Sequence, residues 1–159
     1  VTRRVEDVID DLRGRVAELE RRARGRTRTG VVEQVDAAAG LARVRLLDGP
    51  RPFLTGWLPW AEIAAGANRT HNPPSIGQQV QILSESGDLR DGVIQGSVNS
   101  AANGRPSSKG DEHVLLAVGD ARISVGDGGG VMVLRVGGSS VTITPSLIAL
   151  NAARIEENG

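Results

Sequence analysis

The stretch VLLAVGDARISVGDGGGVMVLRVGGSSVTITPSLIALN, residues 114–151, decides the fold. It breaks into short runs at 114–118, 122–125, 131–136, 140–144 and 147–151, and a further run follows at 154–156. Gly119-Asp120, residues 126–130, Gly137-Gly138 and Pro145-Ser146 separate them, and such residues mark tight turns between strands. Six strands of about five residues in so short a segment cannot enclose a core of their own. An open meander of that size leaves an apolar face and two edges bare. The economical cover is the same segment from symmetry mates, three copies wound into one prism, each supplying edge and apolar face to the next.

Upstream, residues 99–112 (NSAANGRPSSKGDE) are turn-forming and nearly devoid of apolar side chains, so they read as a linker. Before the linker the period is again two. Residues 29–36 and 41–47 alternate across Ala37-Ala38-Ala39-Gly40, a hairpin signal. After a loop with Pro50 and Pro52, residues 56–60 (GWLPW) form a third short strand. An irregular excursion runs from Glu62 through Pro73-Pro74, and two more strands, 79–84 and 92–98, flank the polar turn Glu85-Ser86-Gly87-Asp88. Five strands with the long excursion between the third and fourth match a small barrel of OB type. A five-stranded sandwich and an SH3-like barrel are the structural rivals. Trp57 and Trp60 are predicted to face opposite sides, one anchoring the barrel and the other making a contact.

Residues 1–28 follow a third pattern. Val5, Ile9, Leu12, Val16, Leu19 and Ala23 are spaced alternately four and three apart, a heptad seam. With Ile9, Val16 and Ala23 at position a and Val5, Leu12 and Leu19 at d, Gly14 falls at the outermost position. Glu6, Arg13, Arg15, Glu20 and Arg22 then flank the seam. Two uses fit this helix: self-association as a trimeric coiled coil, or packing along its own domain. The basic run Arg21, Arg22, Arg24, Arg26 and Arg28 suits a solvated helix end.

Composition narrows the function. The 159 residues hold no Cys, which excludes a disulfide scaffold, a thiolate nucleophile and Cys-ligated metal. No run of about 18 apolar residues occurs, and the start lacks the apolar core of a signal peptide, so no membrane or export signal is expected. Phe53, Trp57 and Trp60 are the whole aromatic set, and 19 basic side chains balance 19 acidic ones. A surface of stacked aromatics in a basic groove, as nucleic acid would need, is therefore not expected.

The polar motifs assemble no chemistry. Gly126-Asp127-Gly128-Gly129-Gly130 lacks the helix and the Lys-Ser/Thr pair of a phosphate loop and reads as a turn. His71 and His113 lie in different segments, Glu85, Asp88 and Asp91 lack a calcium-loop order, and Ser107-Ser108 belongs to the linker with no base nearby. Asn68-Arg69-Thr70 is a formal glycosylation acceptor without an export signal. No catalytic, cofactor-binding or metal residues are assigned, and no enzyme is expected.

Several stretches together resemble a known family. They are Thr29-Gly30-Val31-Val32 with Val35-Asp36, Trp57-Leu58-Pro59-Trp60, residues 73–80 (PPSIGQQV), Ser86-Gly87-Asp88-Leu89 and Gly92-Val93-Ile94-Gln95-Gly96. The linker followed by Asp111-Glu112-His113 and Gly119-Asp120-Ala121-Arg122-Ile123 is also similar. Residues 29–157 in register resemble the baseplate assembly protein V, or central spike, of contractile-tailed phages and phage-like injection particles. This family is related to the needle of the type VI secretion spike, the valine–glycine repeat protein.

Added to the N-terminal helix (1–28) read from the heptad spacing, the resemblance implies a mainly β homotrimer with an OB-fold domain (29–98), a linker (99–112) and an intertwined β-helical spike (113–159). It further implies a structural role in the tail baseplate of a virion or phage-like particle assembled in the host cytoplasm. A separate hub protein would sit at the N-terminal side, and the target membrane would be met only transiently, when sheath contraction drives the spike through it. Family members with their own sharpened tip carry a His-x-His iron site, and no histidine follows His113 here. No cofactor is expected. Glu156 and Glu157 would meet near the axis, where they would seat either a structural ion or a tip protein of the proline–alanine–alanine–arginine repeat family. The alternative reading is an OB-fold module for single-stranded nucleic acid or oligosaccharide, with the C-terminal strands as an oligomerisation stalk.

Overall fold

The structure is a computed structural model that describes residues 4–47, 49 and 51–156. It divides into two compact units between Gly104 and Arg105.

The first unit opens with helix α1 (Val5–Gly25), as the heptad spacing predicts. Glu6 and Asp7 in its first turn and Arg22 and Arg24 in its last oppose the helix dipole, and the Arg4 backbone N–H donates to the Asp7 carboxylate at 3.2 Å. Val5, Ile9, Leu12, Val16 and Leu19 are all exposed, from 42% to 74%, so the helix does not lie along its own domain. Only its end touches the barrel. A Cβ on Gly25 would collide with the backbone of Gly87, and Gly87 itself has φ +79° with Arg22 backbone atoms within 3.0 Å of where its Cβ would stand. Two glycines thus let one backbone rest on another, and the Ser84 N–H donates to the Arg26 carbonyl at 2.8 Å beside them.

The barrel follows. Strand β1 (Thr27–Asp36) begins two residues earlier than the alternation predicts and pairs with β2 (Leu41–Leu46) along its second half. Its first half pairs with β5 (Gln79–Leu83), so this long strand serves two neighbours. Gly30 sits where both pairings overlap, and any Cβ there would strike the Val44 side chain. Strand β5 continues to β6 (Val93–Ser97). The third strand differs from the prediction. Two short pieces pair with β2, namely β3 (Phe53–Leu54), placed in the expected loop, and β4 (Leu58–Pro59). Thr55 explains the break: its buried hydroxyl accepts from the Val44 N–H at 3.0 Å and donates to the Gly56 carbonyl at 2.8 Å, replacing a ladder bond and turning the chain outward. Past Pro59, Trp60 bridges Ile94 in parallel, which joins the β4 end of the sheet to β6. That closure, with one parallel contact in an otherwise antiparallel sheet, gives an OB-like barrel and disfavours the sandwich and SH3 alternatives. Val32, Ala42, Val44, Leu46, Leu58, Val80, Ile82 and Ile94 fill it, with Trp60 packed against them.

The second unit is an antiparallel meander in chain order: β7 (His113–Val118), β8 (Ala121–Gly126), β9 (Val131–Val136), β10 (Ser139–Thr144) and β11 (Leu147–Asn151). The expected sixth strand at 154–156 does not form. Arg154 instead pairs with Glu156 at 2.8 Å, and Ile155 lines a groove with Leu150 and Val141. Within one chain the segment is an open sheet, not a prism. Part of the expected linker is also fixed to this unit: Arg122 donates to the Pro106 carbonyl at 2.8 Å and pairs with Glu112 at 2.7 Å.

Candidate functional site

The pairing register of the meander sorts its side chains onto two faces, because directly opposed residues share a face. Leu116, Ile123, Leu134, Val141 and Leu150 form one continuous row across all five strands. Two residues along, Val125, Met132, Ile143 and Ile148 form a parallel row on the same side. Val118, Ala121 and Val136 begin a third row at the other end. The opposite face is mixed: Ala117, Arg122, Arg135, Ser140 and Asn151 form one row and Val114, Ser124, Val133, Thr142 and Ala149 the next. Arg122 on that face is the residue that holds Pro106 and Glu112. The apolar face has no comparable cover among the described residues. Leu134 is 41% exposed at its centre and Ile148 67% at its margin. Strands β7 and β11 stand at the ends of the order, so each has one edge without a strand partner among the described residues.

The second apolar surface is the α1 seam. Its polar flank is ordered by ion pairs within the helix: Glu18 accepts from Arg21 at 2.8 Å and from Arg22 at 2.7 Å, Glu20 pairs with Arg24 at 3.3 Å and Asp10 with Arg13 at 3.5 Å. The hydrogen bonds from Arg21 and Arg22 lower the Glu18 pKa to about 2.

On the barrel, Trp57 is half exposed and the Arg43 guanidinium lies 5.9 Å from its ring centre, while Trp60 packs inward. The opposed orientation matches the three-residue spacing. The excursion 61–78 holds a feature that no local motif signals, a carboxylate collecting donors from both sides of its own loop. Glu62 accepts from the Asn72 backbone N–H at 2.7 Å, the Thr70 hydroxyl at 2.7 Å, the Trp60 indole N–H at 2.8 Å and the Asn72 side chain at 3.1 Å. These bonds, led by the Asn72 N–H, lower its pKa to about 2. A depressed carboxylate stabilises the fold above its ordinary value of 4.5 and loses that contribution as pH falls toward the folded value. In a Trp57→Phe background, Trp60 emission is therefore expected to stay constant through the ordinary carboxylate range and to change only as pH approaches about 2. A transition centred near 4.5 would show that the four donors do not hold the charge.

The remaining polar residues serve local structure. Asp88 accepts from the Arg90 N–H at 3.0 Å, and Asp91 accepts the Ser84 hydroxyl at 2.5 Å, which lowers its pKa. His71 lies with its ring 6.4 Å from that of Trp60, and His113 opens β7 opposite Val125. Contrary to the sequence reading, Ser107 does have a carboxylate beside it: its hydroxyl donates to Glu112 at 2.5 Å. Glu112 is already paired with Arg122, and the two contacts, the Ser107 bond first, lower its pKa, so it is a poor base. Residues 126–130 form a turn in which Asp127 adopts φ +49°. Among the described residues no group of three His, Asp or Glu side chains is placed to hold a metal, and no helix is long and apolar enough to cross a membrane. Glu156 is engaged by Arg154, while Glu157 lies outside the described residues.

Comparison with known proteins agrees with this architecture. Residues 28–98 match the family described as the type VI secretion system/phage-baseplate injector OB domain. The spike protein of Escherichia phage P2 is 35% identical over 96 residues, a match that spans 60% of this chain and 44% of that protein. Trp60 and Ile94, whose bridge closes the barrel, both fall inside the matched residues, so over this domain the chain is similar to phage-baseplate injector proteins.

Proposed function

We propose that this chain is a structural, non-enzymatic component of a contractile tail baseplate, acting as a homotrimeric central spike. In this reading the barrel forms a collar that meets a hub protein on the N-terminal side. The meanders of three copies wrap into a needle, whose far end accepts a tip protein. Sheath contraction pushes the needle through the target envelope, and strand pairing between chains resists bending. The observation that carries the reading is the uncovered apolar face, bounded by two strand edges without partners among the described residues. A threefold axis lets each copy cover the face and edges of the next. Light scattering is expected to give about 50 kDa, three times the 16.7 kDa chain. A monomer at every concentration tested would reject the proposal.

One observation favours the second reading, an OB module for single-stranded nucleic acid. Exposed Phe53 and Trp57 line a groove together with Arg21 and Arg90, and base stacking on aromatics beside cations is how such modules bind. Three facts weigh against it. Arg43 already lies over Trp57, and Glu18 already pairs with Arg21. Residues 1–28 hold nine Arg and six acids, net +3, which leaves −3 on the remainder of a neutral chain. Fluorescence anisotropy with labelled oligothymidylate is expected to show no micromolar binding at about 0.15 M salt. Micromolar affinity with a steep salt slope would favour the second reading.

A further inference from the structure

We propose that the α1 helices of three copies close on the common axis as a parallel, in-register bundle, held in register by Arg15 of one chain against Glu20 of the next. The inference rests on the trimer reading but comes from a different surface. Val5, Ile9, Leu12, Val16 and Leu19 are exposed along one stripe, and the helix meets its own barrel at its C-terminal end, where Arg22 and Gly25 rest on Gly87. Val8, also 40% exposed, widens the stripe at a flanking position. A stripe this long on a helix in water needs a partner, and charge decides which partner and in which direction.

In a parallel pair, the residue preceding one heptad core faces the flanking residue of the following heptad on its neighbour. That rule sets Arg15 against Glu20. It sets Val8 against the aliphatic stem of Arg13, which extends the apolar contact. Arg15 has no ion pair within its own helix among the described residues, whereas Arg13, Arg21, Arg22 and Arg24 each do. Reversing one helix would stack Ile9 on Leu19 and Val16 on Leu12. The flanks would then place Glu6 against Glu20, and Arg13 and Arg15 each against its own copy. Every such flanking contact repels. A single threefold axis also makes all three helices parallel, so the flanking charges and the symmetry of the needle agree. Ile9 and Val16 at position a with Leu12 and Leu19 at d suit two strands better than three in isolation. The helix therefore follows the chain count set by the sheet and does not fix it.

The test uses the full chain, which has no native cysteine. Val5→Cys places one thiol per chain at the far end of the seam. In a parallel, in-register bundle, mild oxidation links two chains of each trimer, so about two thirds of the protein runs as a disulfide dimer on a non-reducing gel. Adding Arg15→Glu is expected to slow the linkage roughly fivefold, and adding Glu20→Arg as well to restore it, which loss of the Glu20–Arg24 pair alone would not do. Light scattering on the same sample separates the outcomes. A trimer that links as described supports the bundle. A trimer that does not link overturns it and leaves the needle reading standing, and a monomer overturns both.

Discussion

Leu134→Asp is expected to lower the solution mass from about 50 kDa to that of a single 16.7 kDa chain. Leu134 is central in the row that runs from Leu116 to Leu150, flanked by Ile123 on β8 and Val141 on β10. In one chain it remains 41% exposed, so a carboxylate there is tolerated by the isolated meander. In the proposed assembly the same position is covered three times over, and each unpaired buried charge costs several kcal/mol. Arg135→Asp, one residue away on the opposite face, is expected to leave the mass unchanged. An intact trimer carrying Leu134→Asp would show that this face is not the seam between chains.

Truncation after Gly104 is expected to leave a cooperatively folded barrel whose association becomes weak and concentration-dependent. The whole apolar core, from Val32 to Ile94, lies before the cut, and both tryptophans are in the same unit. Residues 106–112 go with the part removed, since Pro106 and Glu112 are held by Arg122. Tryptophan emission and the steepness of its urea transition therefore report on the barrel without interference from the sheet. A flattened transition would mean that the barrel depends on the C-terminal unit for its fold. A strong trimer would move the assembly determinant from the sheet to the helix.

What could be read in the sequence was the periodic part. Heptad spacing placed α1, and period-two alternation placed β1 and β2, because side-chain burial repeats with backbone geometry. The glycine turns between β7 and β11 were equally visible, since Gly119 and Gly137 take up positive φ that other residues resist. The third barrel strand was not, because its break depends on the Thr55 hydroxyl substituting for a backbone partner on β2. Glu62 was invisible for a related reason: its partners at Thr70 and Asn72 are gathered by the course of a loop that has no period. The run at 154–156 looked like a strand from composition, yet no strand among the described residues pairs with it, and Ile155 lines the apolar groove instead. Of the proposed assembly surface, the pattern gave the existence of an inward face, and only the register told which residues share it.

The strand order of the meander also sets a timetable. Each of its strands pairs with its immediate neighbour in the chain, across turns of a few residues, so contact order is low and individual hairpins close within about 1–10 μs. In the proposed trimer, covering the apolar face takes other chains, and that encounter slows as the protein is diluted. Refolding from denaturant is thus expected to show a fast phase independent of concentration, then a slower one whose rate climbs with it. Between the two phases each protomer is a sticky, half-finished sheet. Chains released close together from one messenger would spend the least time in that state.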